Sequence, residues 1–149
     1  MGYMSEVCLV VALRSNTQAD ELMAVYALHP AVQKHELLDS WDRYVRDDVV
    51  FLVYRNVSTR WYEDFEGVQG MEYLLTLAKT FHEERTDIGW IENGADKPEV
   101  TDGFPYAAYK LRIGEEMKDI EEEAHCSQDS LQSDIYDRAY MDRSITIDF

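Results

Sequence analysis

The sequence predicts an α+β domain: a ferredoxin-like antiparallel sheet covered by two helices, carrying an acidic C-terminal appendage of helix and strand. Three observations lead there. Short runs rich in β-branched and aromatic residues recur at Glu6–Leu13, Val49–Arg55 and Phe104–Ile113. Stretches of helical periodicity alternate with them, so the chain reads β, α, (β), β, α, (β), β. Composition then changes after Gly114, where residues 115–149 hold 11 acidic and 3 basic groups, about half of the formal net charge of −16. The expected division is a core of residues 1–113 with residues 114–149 docked on it.

Each element has its own signal. Glu6–Leu13 is a short β-branched run and reads as a buried strand. Ser15-Asn16-Thr17 offers helix-capping chemistry, with Asp20 and Glu21 expected in the first turn. Ala19, Leu22, Met23 and Tyr26 then place a helix over Thr17–Leu28, and Pro30 sets a boundary near His29. Val32–Val45 is ambiguous, since Leu37, Leu38, Trp41 and Val45 suit a helix or an exposed strand. Arg46-Asp47-Asp48 reads as a turn before the Val49–Arg55 strand. Val68, Met71, Leu74, Leu75, Ala78 and Phe81 mark a strongly amphipathic helix. A short strand at Ile88–Ile91 and a loop at Asn93-Gly94 and Lys97-Pro98 follow. Phe104–Ile113 is a strand with Pro105 near its start, where a missing donor is tolerated. Met117, Ile120 and Ala124 suggest an acidic helix over Glu115–Cys126, and Ile145, Ile147 and Phe149 alternate as a terminal strand able to pair with an edge.

At 149 residues, 46% hydrophobic and 12% aromatic, the chain can bury a core without disulfides. Its longest apolar runs, Val7–Leu13 and Val49–Tyr54, fall far short of the roughly 20 residues a membrane helix needs. No basic flank precedes the first run, so no secretory signal is read there. Two cysteines, Cys8 and Cys126, make no disulfide framework, and a reducing, cytoplasmic location is expected. The Asn56-Val57-Ser58 sequon is then a coincidence. The sign of the charge excludes more than its size does: nucleic acids and anionic membranes are bound by Lys and Arg, and a chain at −16 is repelled by both. Its electrostatic partners are basic protein surfaces.

Catalytic, cofactor and metal motifs are not found. His29, His35, His82 and His125 form no ligand-spaced pair, and no Cys-x-x-Cys occurs. His125 and Cys126 are adjacent, so their side chains diverge in helix or strand alike. The Glu121-Glu122-Glu123 run beside them raises a thiol pKa, whereas a reactive thiolate requires the opposite field. Gly67-Val68-Gln69-Gly70 has the form of a backbone-clamping nucleic-acid loop, but Glu63, Asp64, Glu66 and Glu72 surround it and helix-start glycines explain it more simply. Phe104-Pro105-Tyr106 in so acidic a chain is a poor base-stacking platform. Paired carboxylates are too abundant to be diagnostic of acid–base chemistry.

The most unusual local feature is Arg60-Trp61-Tyr62-Glu63-Asp64-Phe65-Glu66, three aromatics interleaved with acids. The i, i+4 spacing of Trp61 and Phe65 favours docking of this loop on the sheet; an interface anchor is the competing reading. The expected partner-binding residues are Trp61, Tyr62, Glu63 and Asp64 here, with Glu115, Glu116, Asp119, Glu121, Glu122 and Glu123 in the acidic segment.

These features yield a leading functional expectation and two alternatives. Sixteen excess charges match those of roughly 27 Å of duplex DNA, so a domain of this size can occupy a basic nucleic-acid-binding site on a partner by charge mimicry. In composition the chain resembles small virus-encoded inhibitors of host defence, although no motif ties it to a named family. The first alternative is a small-molecule enzyme or ligand-binding domain on a ferredoxin-like scaffold, homodimeric through its sheet. The second is an assembly component whose strand Ile145–Phe149 pairs with a neighbour's sheet edge.

Overall fold

The computed structural model describes residues 4–88, 104–114, 120–127, 129–141 and 145–149. Its centre is β1 (Ser5–Leu13), whose seven residues from Val7 to Leu13 are almost wholly shielded from water. A strand so apolar on both faces must lie inside a sheet covered on both sides. β3 (Val49–Thr59) pairs antiparallel with one edge of β1 and β4 (Tyr106–Ile113) with the other, setting Val10 opposite both Val53 and Tyr109. β2 (Asp42–Arg46) flanks β3 and β5 (Ile120–Cys126) flanks β4. The result is a five-stranded antiparallel sheet ordered β2-β3-β1-β4-β5.

Alternation along β1 divides the core. Val7, Leu9, Val11 and Leu13 face a layer built from α1 (Asn16–Tyr26), α2 (Pro30–Lys34) and α3 (Glu66–Ile88). The predicted stripe of α3, from Val68 to Phe81, is buried there. Cys8, Val10 and Ala12 face the other way, against Leu131 and Ile135 of α4 (Asp129–Arg138). Those two anchors are one helical turn apart and fully buried, each stabilising the docked helix by roughly 1.5–3 kcal/mol. β6 (Ala139–Met141) and β7 (Ile145–Ile147) pair antiparallel as a separate two-stranded sheet beside α4. Phe149 closes this side, stacked on Tyr44 at 5.2 Å and tilted against Phe51 at 4.7 Å.

Local chemistry explains the element ends. Ser15 caps α1 by accepting from the Gln18 N–H at 3.2 Å. The expectation of acids in that first turn is corrected: the helix begins at Asn16, and Asp20 lies past the turn, where it takes Arg43 of β2 at 2.7 Å. His29 caps α2 through Nδ1, which accepts from the Ala31 N–H, and Pro30 fills the first helical position. The ambiguous stretch resolves into α2, a 3-10 turn at Leu37–Ser40 and edge strand β2. β2 and β3 are joined by Asp47-Asp48, both at positive φ, 53° and 62°, the mirror-image geometry that matches strand twist in a two-residue hairpin.

One element is overturned. Residues 120–126 form strand β5 instead of the acidic helix expected over Glu115–Cys126. Cross-strand charge makes this possible: Glu121 lies opposite Arg112 and Glu123 opposite Lys110. Ile88 ends α3, and the rest of the strand expected at Ile88–Ile91, with the loop after it, lies outside the described residues.

Candidate functional site

The loop between β3 and α3 turns Trp61 inward and its acids outward. Trp61 stacks on Tyr54 of β3 with ring centres 6.0 Å apart and is 7% exposed. The Phe65 N–H donates to the Tyr62 carbonyl at 3.0 Å, closing a turn with Glu63 and Asp64 exposed at its middle. Gln69 of α3 pins this turn by donating from Nε2 to the Glu63 carbonyl at 3.0 Å. Phe65 sits edge-on to Tyr62 and stays 43% exposed, so the shared inward face inferred from the Trp61/Phe65 spacing does not exist: this segment is a turn and lacks helical geometry.

Facing this loop is the α3 side of β4 and β5. Lys110 is buried, and its ammonium donates to Glu72 of α3 and to Glu121 at 3.0 Å. Arg112 donates from Nε to Glu121 at 3.2 Å and from Nη1 to the Ser5 hydroxyl at 3.1 Å. Burial pulls the Lys110 pKa down, but the two carboxylates outweigh it and hold the group above the usual lysine value. Burial likewise raises Glu121, yet Lys110 and Arg112 together hold its carboxyl below the ordinary range. His125 shares this face, with Nδ1 3.0 Å from the Tyr106 hydroxyl. Its pKa is lowered, chiefly by burial, with Glu123 acting against that trend.

A polar groove runs between loop and strands. One section, of about 450 Å³, is lined by Ser5, Trp61, Tyr62, Glu63, Asp64, Lys110, Arg112 and Glu121. An adjoining section of about 230 Å³ adds Glu72, Glu123 and His125. With His125 neutral, five carboxylates stand against two cations, a formal charge of −3.

The groove brings together Trp61, Tyr62, Glu63 and Asp64 with Glu121 and Glu123, two segments that the sequence presents separately. Glu122 departs from them: the strand alternates, and its carboxylate hydrogen-bonds Tyr109 on the opposite face. Glu115, Glu116 and Asp119 lie outside the described residues. Sequence reasoning missed Lys110, Arg112, Glu72, Ser5 and His125. The available signal was the Lys-x-Arg alternation at the end of the otherwise apolar strand Phe104–Ile113, which marks one polar face.

A second cavity, of about 610 Å³, is also walled by Trp61. Leu37, Tyr54, Phe65, Val68 and Met71 supply apolar lining, while His35, Arg60, Asp64 and Glu66 supply charge or hydrogen-bonding capacity. Glu66 accepts from Lys34 at 2.9 Å and lies 3.2 Å from His35, and these contacts lower its pKa. The indole N–H of Trp61 is sealed from water and has no hydrogen-bond partner among the described residues.

Nucleophilic chemistry finds no support at Cys8, whose thiol is pushed up to about 12 by burial, Arg55 partly offsetting. Among the described residues no three His, Cys, Asp or Glu side chains form a metal-binding group, and no helix is long and apolar enough to cross a membrane. Comparison with protein-family models, curated proteins and solved structures yields no match.

Proposed function

We propose that the protein is an acidic protein-binding module, a small inhibitor of the virus or phage type that occupies a basic, nucleic-acid-binding site on a cytoplasmic partner. The observation that carries this reading is the convergence of the Trp61–Asp64 loop and the Glu121–Glu123 strand on one groove of net negative charge. Within it the parts differ in role. Glu72 and Glu121 are committed to Lys110 and Arg112, so Glu63, Asp64 and Glu123 are the carboxylates left to face a partner's Arg or Lys. Tyr62, half-buried beside them, supplies the kind of aromatic surface that anchors interfaces. We read the scaffold as ferredoxin-like with an acidic appendage; the strand order β2-β3-β1-β4, with α1 and α3 in one layer, supports this.

Capture from bacterial lysate, washed at increasing salt and followed by competition with duplex DNA, tests the reading. The expected result is a basic nucleic-acid-binding protein that elutes with salt, competes with DNA and is lost to the Glu63→Gln/Glu123→Gln variant. Capture that survives high salt, or that the variant retains in full, would overturn it.

A further inference from the structure

We propose that the cavity walled by Trp61 and Tyr54 is a binding site for a small aromatic amine: a flat apolar body with an oxygen acceptor at one end and an ammonium group at the other. At about 610 Å³ the cavity lies in the range of sites that enclose small organic ligands. Leu37, Tyr54, Trp61 and Met71 offer an aromatic and aliphatic bed suited to a ring. Charge selects the other end. Glu66 is already engaged by Lys34 and His35, whereas Asp64 makes no ion pair among the described residues and is exposed at the cavity's edge. Arg60 also lines the space, so with His35 neutral the lining carries a formal charge of −1, within a chain at −16. An ammonium group is therefore attracted to Asp64 and an anion is repelled by the whole molecule. Aromatic faces beside a carboxylate also suit an ammonium by cation–π attraction.

The acceptor follows from an independent observation. Trp61 is 7% exposed and its indole N–H has no partner among the described residues. An unpaired buried donor lowers stability, and native structures rarely keep one without use. An oxygen on the ligand would satisfy this donor, which water does not reach. The site is distinct from the groove, sharing with it only the wall formed by Trp61 and Asp64.

Titration calorimetry with tyramine and 4-hydroxyphenylacetate, which share a phenol and differ in charge, provides the test. It is paired with proton NMR of the Trp61 indole N–H, assigned through Trp61→Phe. Tyramine should bind at least tenfold more tightly than the anion, move the Trp61 resonance downfield, and weaken at least fivefold in Asp64→Asn. The Glu63→Gln/Glu123→Gln variant should bind tyramine unchanged, which separates this site from the partner groove. Equal affinity for the two probes, no binding of either, an unmoved Trp61 resonance or an indifferent Asp64→Asn variant would each overturn the proposal.

Discussion

Replacing Lys110 by Met tests the electrostatics of the groove most directly. The substitution keeps the unbranched apolar stem in its buried position and removes the ammonium that Glu72 and Glu121 share. Two charge-assisted hydrogen bonds are lost, worth roughly 1.5–3 kcal/mol each. The carboxylates are 29% and 34% exposed and recover part of this by hydration, while Arg112 still holds Glu121 at 3.2 Å. The net loss near neutral pH is then about 2–3 kcal/mol, below the roughly 3–5 kcal/mol for breaking a fully buried pair. With a urea m-value of about 1–3 kcal/mol per M, the unfolding midpoint falls by roughly 0.7–3 M.

The pH dependence makes the test sharper. Glu121 has a folded pKa below its unfolded value, so its contribution is present above the ordinary glutamate range and is lost as pH falls through the folded value. Lys110 has a raised pKa, so its contribution is intact below the ordinary lysine value and is lost as pH rises through the folded one. The gap between native and variant proteins should therefore be full near neutrality and narrow in acid. Urea titrations followed by circular dichroism and tryptophan fluorescence at both conditions read it. A neutral-pH gap under about 0.5 kcal/mol, the range of ordinary surface changes, would refute the reasoning, as would a gap unchanged in acid.

Three further outcomes are expected. Asp48→Gly should raise the urea midpoint, by about 0.5–1 kcal/mol of stability, because glycine adopts the positive φ of this turn without strain. Gly70→Ala should cost about 0–2 kcal/mol, since the crowding of an added Cβ 2.5 Å from Leu37 Cδ1 and 3.3 Å from Ala31 Cβ is partly offset by roughly 1 kcal/mol of helix propensity within α3; adding Leu37→Ala should cost less than the sum of the two changes in a double-mutant cycle. His125 has a lowered pKa, so the unfolded chain binds more protons and stability falls as pH drops from 6.5 through the folded value; His125→Gln should flatten that slope in thermal melts across mildly acidic pH.

The elements legible in the sequence are those whose pattern is imposed by burial on both sides. β1 and the first halves of β3 and β4 are apolar on both faces and read as strands without knowledge of their neighbours. The stripe of α3 is equally plain, because one face meets the sheet and the other meets water. β5 was illegible for the opposite reason. Glutamate favours helices, and Met117, Ile120 and Ala124 mimic a helical face, but pairing with Lys110 and Arg112 on the preceding strand decides the conformation, and a helical pattern read along one segment does not register it. Half of the groove was likewise readable. The loop announced itself by composition, while Lys110 and Arg112 were hidden inside a strand whose register no local pattern specifies. Trp61 illustrates the limit: its alternation with acids marked a special segment, yet its inward turn comes from stacking on Tyr54.

The two-sided burial of β1 has a consequence for how the molecule is made. By the time synthesis passes Ile113, the chain contains β1 to β4 and the helices that cover one side of them. The other side, displaying Cys8, Val10, Phe51, Tyr109 and Leu111, is covered among the described residues by α4 and the segment that follows it, within residues 129–149. At roughly 5–20 residues per second the ribosome needs about 2–7 s to deliver that segment. Until that cover docks, the sheet is half-clad, adhesive to its own copies and attractive to chaperones, with the Cys8 thiol open to oxidants that the finished fold excludes.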